Sequence, residues 1–131
     1  MKQEDKKLLL KYLCMALPYK VKVCLYEKEA CILLGIDGYE VYLDVDSDSF
    51  RIESIKPYLR PMSSMTEEEK EEFDNFCVID ELVWEGKTEI GYKNQAIIMS
   101  VAINWLLKKH FDFMDLIPKG LAIEVTEEYY G

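Results

Sequence analysis

The sequence predicts an α+β fold over residues 1–131: a single domain with an N-terminal helix, an antiparallel meander of three to five strands and a helical second half packed on the sheet. Three observations predict it. Apolar residues between 19 and 45 mostly alternate, the two-residue period of a half-buried strand. Those between 95 and 109 recur at helical spacing. Between the two patterns stands Lys56-Pro57-Tyr58-Leu59-Arg60-Pro61-Met62-Ser63-Ser64-Met65-Thr66-Glu67-Glu68-Glu69, where prolines give way to a helix start. The chain therefore divides into a helix plus meander (1–55), a proline-containing hinge (56–66) and a mainly helical remainder (67–131).

Residues 4–17 read as a helix. Leu9, Leu13, Ala16 and Leu17 form one stripe, Glu4 and Asp5 suit the positive end of the helix dipole, and Pro18 ends the pattern. Val21, Val23 and Leu25 alternate with Lys20, Lys22, Cys24 and Tyr26, as in a strand with one buried face. Glu27-Lys28-Glu29 reads as a polar turn, and 30–36 is apolar enough for a central strand. Asp37-Gly38 is the strongest hairpin signal, because both central turn positions favour φ > 0. Val41, Leu43 and Val45 give a third strand, and Phe50 and Ile52 a fourth at an edge.

Pro57 and Pro61 each lack a backbone donor and push the preceding residue out of the helical region. Ile55 to Met62 is therefore expected to be extended and kept out of the middle of a sheet. Thr66 and Glu69 then have the spacing of a capping box for a helix from Glu67 to about Phe76, with Phe73, Phe76 and Cys77 as its apolar contacts. Ile79–Trp84 fits either helix or strand, and the residues around Gly86 form a loop. Ile97, Ile98, Val101, Ala102, Trp105 and Leu106 define one face of a helix over 95–109, closed by Lys108, Lys109 and His110 at its negative end. Leu121 to Ile123 adds a strand or docks on the core, and Thr126 to Gly131 reads as a frayed acidic-aromatic tail.

A formal charge of −9 is unevenly spread: residues 1–65 hold 10 basic and 10 acidic side chains, residues 66–131 hold 6 and 15. That excess opposes direct nucleic-acid binding, which needs a basic footprint. Lys2, Lys6, Lys7, Lys11, Lys20 and Lys22 read as a solvated helix face and a lysine-guarded strand edge. No apolar run reaches the roughly 18 to 20 residues of a membrane span, and acidic residues among the first five oppose a secretory signal. The expected place is the cytoplasm.

Candidate chemistry is sparse. Cys14, Cys24, Cys31 and Cys77 form no Cys-x-x-Cys pair and read as small buried apolar residues, reduced in a cytosol. Asp44, Asp46 and Asp48 alternate as in a calcium loop, but loop positions 6 and 12 fall on Ser49 and Ile55, where Gly and Glu are needed. His110 is the only histidine, with Asp112 two residues on and no nucleophile to complete a triad. Glu67, Glu68, Glu69, Glu71 and Glu72 surround a helix and do not converge for acid–base work. Neither a catalytic residue nor a cofactor or metal site is expected. Nine tyrosines fit half-buried packing, or an interface, where an apolar ring with a polar tip is favoured.

Three groups of residues come in a familiar order: Asp5 to Cys14 with Leu17-Pro18-Tyr19; Ile55 to Thr66; and Trp105-Leu106, His110-Phe111-Asp112, Leu116-Ile117 and Lys119 to Glu124. In these the chain resembles a family of small proteins encoded by phages and mobile elements of Bacteroides-type gut bacteria. The resemblance spans most of the chain and is weaker from Asn75 to Asn94. It brings no established activity and so assigns no catalytic residue. It implies a setting, a bacterial or phage cytoplasm. The expectation is a non-enzymatic accessory protein that works through protein–protein contacts, its partner basic. An acidic nucleic-acid mimic or counter-defence inhibitor is the alternative, and a small hydrolase a further one. The interaction surface expected is Tyr58, Arg60, Glu68, Glu71 and Glu72.

Overall fold

A computed structural model describes residues 1–45, 48–77 and 88–130 and has the predicted α+β architecture. The chain forms two compact units: Met1–Ser64 together with His110–Gly131, and Met65–Lys109.

The first unit begins with helix α1 (Gln3–Ala16), whose Leu9, Tyr12, Leu13 and Ala16 are buried at spacings of three and four. Each such leucine is worth about 1.5 to 3 kcal/mol. A 3-10 turn over Leu17–Tyr19, with Pro18 near its start, ends the helix, and Lys20 turns the chain at φ 53. The meander follows: β1 (Lys22–Leu25), β2 (Glu29–Asp37), β3 (Glu40–Leu43) and β4 (Ser49–Arg51). Each neighbouring pair is antiparallel, with β2 between β1 and β3 and β4 at the edge, as the patterning predicts. Val23, Leu25, Cys31, Leu33, Val41 and Leu43 carry the buried face.

Two details differ from expectation. Asp37 pairs with Glu40, so the turn is centred on Gly38–Tyr39 rather than Asp37–Gly38, and only Gly38 has positive φ (60). Between Leu33 and Gly35 the register with β3 shifts; Leu34 is the extra residue of a bulge and is 61% exposed.

The proline-containing stretch is not kept out of the sheet. It forms β5 (Ile55–Pro61), which pairs antiparallel with β1 and parallel with two short strands, β6 (Phe111–Asp112) and β7 (Ile123–Glu124). The direction of each missing donor explains this. Backbone polar groups alternate sides along a strand. Ser54 O accepts from Tyr26 N and Arg60 N donates to His110 O on one side, while Leu59 O accepts from Val125 N on the other. Pro57 and Pro61 share the parity of Leu59, so their nitrogens face β7. Because β7 pairs only with Tyr58 and Leu59, the two prolines lie just outside it and no ladder bond is lost.

The tail is not frayed either. Thr126 leads into a 3-10 turn, Glu127–Tyr129, and the Tyr129 and Tyr130 rings pack back on the unit. Residues 110–130 thus return to the sheet instead of extending the helical part.

In the second unit α2 spans Glu67–Cys77 and α3 spans Glu89–Lys108. The capping box is present: Glu69 N donates to Thr66 Oγ1 and Thr66 N donates to Glu69 Oε1, both at 3.1 Å. α3 starts six residues before the expected 95, capped by Thr88, whose Oγ1 accepts from Gly91 N. Phe73 meets Trp105 edge to face at 5.2 Å, and Trp105 Nε1 donates to Glu72. Trp105 and Leu106 are buried as predicted, whereas Ile97 is 47% exposed. The ambiguous stretch Ile79–Trp84 and the loop around Gly86 lie outside the described residues.

Candidate functional site

The residues expected to form one interaction surface are divided between the two units. Tyr58 and Arg60 belong to the first unit and Glu68, Glu71 and Glu72 to the second. Arg60 is 4% exposed, its guanidinium carbon 4.2 Å from the Phe111 ring centre and its Nη2 donating to Ser64 O. It is therefore a packing residue, not a surface one. Tyr58 is half-buried against Tyr129, and a hydrogen bond shared with the Cys24 side chain, aided by burial, raises its phenol. Glu68 and Glu71 are exposed, while Glu72 is engaged by Trp105 and Lys109. The charge excess also divides. Residues 65–109 hold 5 basic and 10 acidic side chains, whereas 110–131, with 1 and 5, return to the first unit.

His110 does not close α3 as a cation. It takes φ 62, is 8% exposed and stacks on Tyr130 with ring centres 3.5 Å apart and planes 13° from parallel. Burial pulls its imidazole down to about 4, and the nearby Lys22 and Arg60 charges add to this, so the ring is neutral. Asp112 is buried too, and its two oxygens accept from Leu116 N (2.9 Å) and Ile117 N (2.8 Å), fixing the turn that follows β6. Each member of this group holds backbone or ring; the arrangement supports structure.

An outlying backbone feature marks a different place. The hairpin between β1 and β2 turns through Tyr26 (φ 50) and Glu27 (φ 60), with Lys28 N donating to Leu25 O. Two left-handed central residues are the geometry that Asn-Gly adopts readily. Here neither is glycine, at a cost of about 1 to 2 kcal/mol each. The strained turn presents Tyr26 at 60% exposure, between two grooves. One, of about 330 Å³, is lined by Cys24, Tyr26, Glu27, Glu53, Ser54, Lys56 and Ile123. The other, of about 360 Å³, is lined by Leu25, Tyr26, Lys28, Glu29, Val45 and Phe50. Lys56 Nζ lies 3.8 Å from Glu27 Oε1, and the Phe50 ring meets Tyr26 edge-on at 6.2 Å. The sequence marks 27–29 only as polar; no Gly or Asn announces a left-handed pair one residue earlier.

Cys24 and Cys31 are buried as expected, and burial pushes the Cys31 thiol up, but Cys14 is exposed. Asp44 belongs to the sheet end, its Oδ1 accepting from Ile32 N, while Asp46 and Ser47 lie outside the described residues. Among the described residues no group of three or more His, Cys, Asp or Glu could hold a metal ion, and no helix is long and apolar enough to cross a membrane. No family model, no curated protein and no solved structure matches the chain.

Proposed function

We propose that the chain acts without catalysing a reaction, by holding another protein, and that Tyr26 is the anchor of that contact. The setting that fits the sequence resemblance is a phage or mobile element in a bacterial cytoplasm. The observation that carries the reading is the left-handed Tyr26–Glu27 pair. Strain at a solvent-facing turn is kept where the surroundings over-determine it or where it serves a contact. A projecting tyrosine with a recess on either side suits a partner, since buried tyrosines dominate many interface energies. A photo-cross-linking residue at position 26 in the host tests this, with the same residue at Tyr92 as reference. A discrete partner cross-linked from position 26 alone, which the parent chain captures and a Tyr26→Ala chain does not, is expected. No adduct, or the same set from both positions, refutes it.

A second reading rests on the exposed Glu68 and Glu71 of α2. Here the partner is basic, and α2 stands in for phosphates as an acidic mimic. Its association rate then falls with salt and with reversal of Glu68, Glu71 and Glu72, but not with reversal of Lys6, Lys7 and Lys11.

A further inference from the structure

The last hydrogen-bonded step between β1 and β5 is made by a side chain. Their register ends at Val23↔Pro57. One position on, Lys22 N donates to the Tyr130 hydroxyl at 3.0 Å and that hydroxyl donates to Tyr58 O at 2.7 Å, with Lys22 O 3.3 Å away. The ring lies flat on His110, and Lys22 Nζ stands 5.5 Å from its centre and 5.0 Å from that of Tyr129. These groups line a slot whose shape and polarity fit a phenol: a flat imidazole face, an ammonium at the ring, and a backbone donor and acceptor at the hydroxyl. Beyond Val125, whose amide donates to Leu59 O, the two tyrosines hold the tail on the unit. The tail is thus a tethered ligand more than a strand of the sheet.

We propose that this slot is a tyrosine-recognition site, filled in cis by Tyr130 and open in trans to the tyrosyl side chain of an acidic peptide segment. Acidic flanks are specified because Lys22 stands at the rim and the resident segment reads Glu127-Glu128-Tyr129-Tyr130. The site is separate from the Tyr26 turn, which lies past the other end of β1, and either proposal can fail alone. Tethering gives the resident tail an effective concentration on the order of millimolar, so an outside tyrosine competes poorly until the tail is weakened.

The test uses the full chain carrying Tyr129→Ala and Tyr130→Ala, with a synthetic peptide of the sequence of residues 125–131 as probe. The histidine ring protons, read by NMR, are expected to move on titration toward their positions in the parent. A peptide with phenylalanine in place of the second tyrosine is expected to bind at least tenfold more weakly, and the parent chain to respond at least tenfold less. Absence of a histidine response at millimolar peptide, or equal binding of the phenylalanine peptide, overturns the proposal. If the double variant does not fold, Tyr130→Phe decides. It keeps the ring but not the hydroxyl, so the Lys22 amide is expected to exchange at least tenfold faster and the peptide to displace the weakened tail. An unchanged exchange rate or an unresponsive histidine then overturns it.

Discussion

Replacing Glu27 by glycine is expected to stabilise the protein. Glu27 sits at φ 60, where a side chain costs about 1 to 2 kcal/mol. Glycine removes that cost but returns roughly 0.5 to 1 kcal/mol through the greater freedom of the unfolded chain. The ion pair to Lys56 is long, at 3.8 Å, and its Glu27 end is largely in solvent, so its loss counts for little. The net expectation is a gain of about 0.5 to 1 kcal/mol. With a urea slope on the order of 2 kcal/mol per molar, the midpoint rises by about 0.3 to 0.5 M at unchanged slope. Lys28→Gly is the control. Lys28 is not among the residues with positive φ, so glycine there only adds unfolded-state freedom and lowers the midpoint. A Glu27→Gly midpoint equal to or below the parent's would refute the reasoning, because the left-handed strain would then not be stored at this turn.

Other expectations follow from single groups. Thr66→Ala leaves the Glu69 amide without its cap and is expected to cost about 0.5 to 2 kcal/mol; an unchanged denaturant midpoint would show the box to be idle. His110 is held at about 4 in the fold against 6.5 ordinarily. Its contribution is therefore full above pH 6.5 and declines as pH falls toward 4, where the unfolded chain takes up a proton that the fold refuses. The total is at most about 3 kcal/mol. His110→Asn, which tolerates the left-handed backbone, should flatten that part of the stability curve relative to the parent. Brief alkylation of the native protein, mapped by mass spectrometry, is expected to label Cys14 well before Cys24 and Cys31. Equal labelling would mean that the sheet opens faster than its burial implies.

Features set by neighbours in sequence were legible. The Thr66–Glu69 box, the α1 stripe and the alternation of β3 each depend on residues within a few positions of one another. The apolar face that marks α3 in the sequence begins only at Ile97, so its first turns, which follow the cap at Thr88, carry no such signal. Long-range features were hidden. Nothing near Tyr130 points to Lys22, 108 residues away, so an ordered plug reads as a frayed end. β6 and β7 are two residues each, too short to show a period. Of the candidate site, tyrosine abundance hinted at contacts, but the hint fell on Tyr58 rather than Tyr26. What singles out Tyr26 is a positive φ in a tight turn, which residue type does not reveal.

The two prolines of β5 also have a consequence in time. A chain made from its N-terminus completes α1 and the meander through β5 well before Ile123 and Glu124 exist. During that interval the side of β5 that β7 will cover is a bare edge, the kind of surface that recruits strands of other chains. On that side Pro57 and Pro61 present no donor, and only Leu59 between them offers a full set of backbone groups. A neighbouring chain finds one residue to pair with, too few to hold it, while β7 needs no more than that residue and its neighbour. The stretch that looks barred from a sheet is barred in effect only from the wrong one, and it keeps the edge vacant until the proper strand arrives.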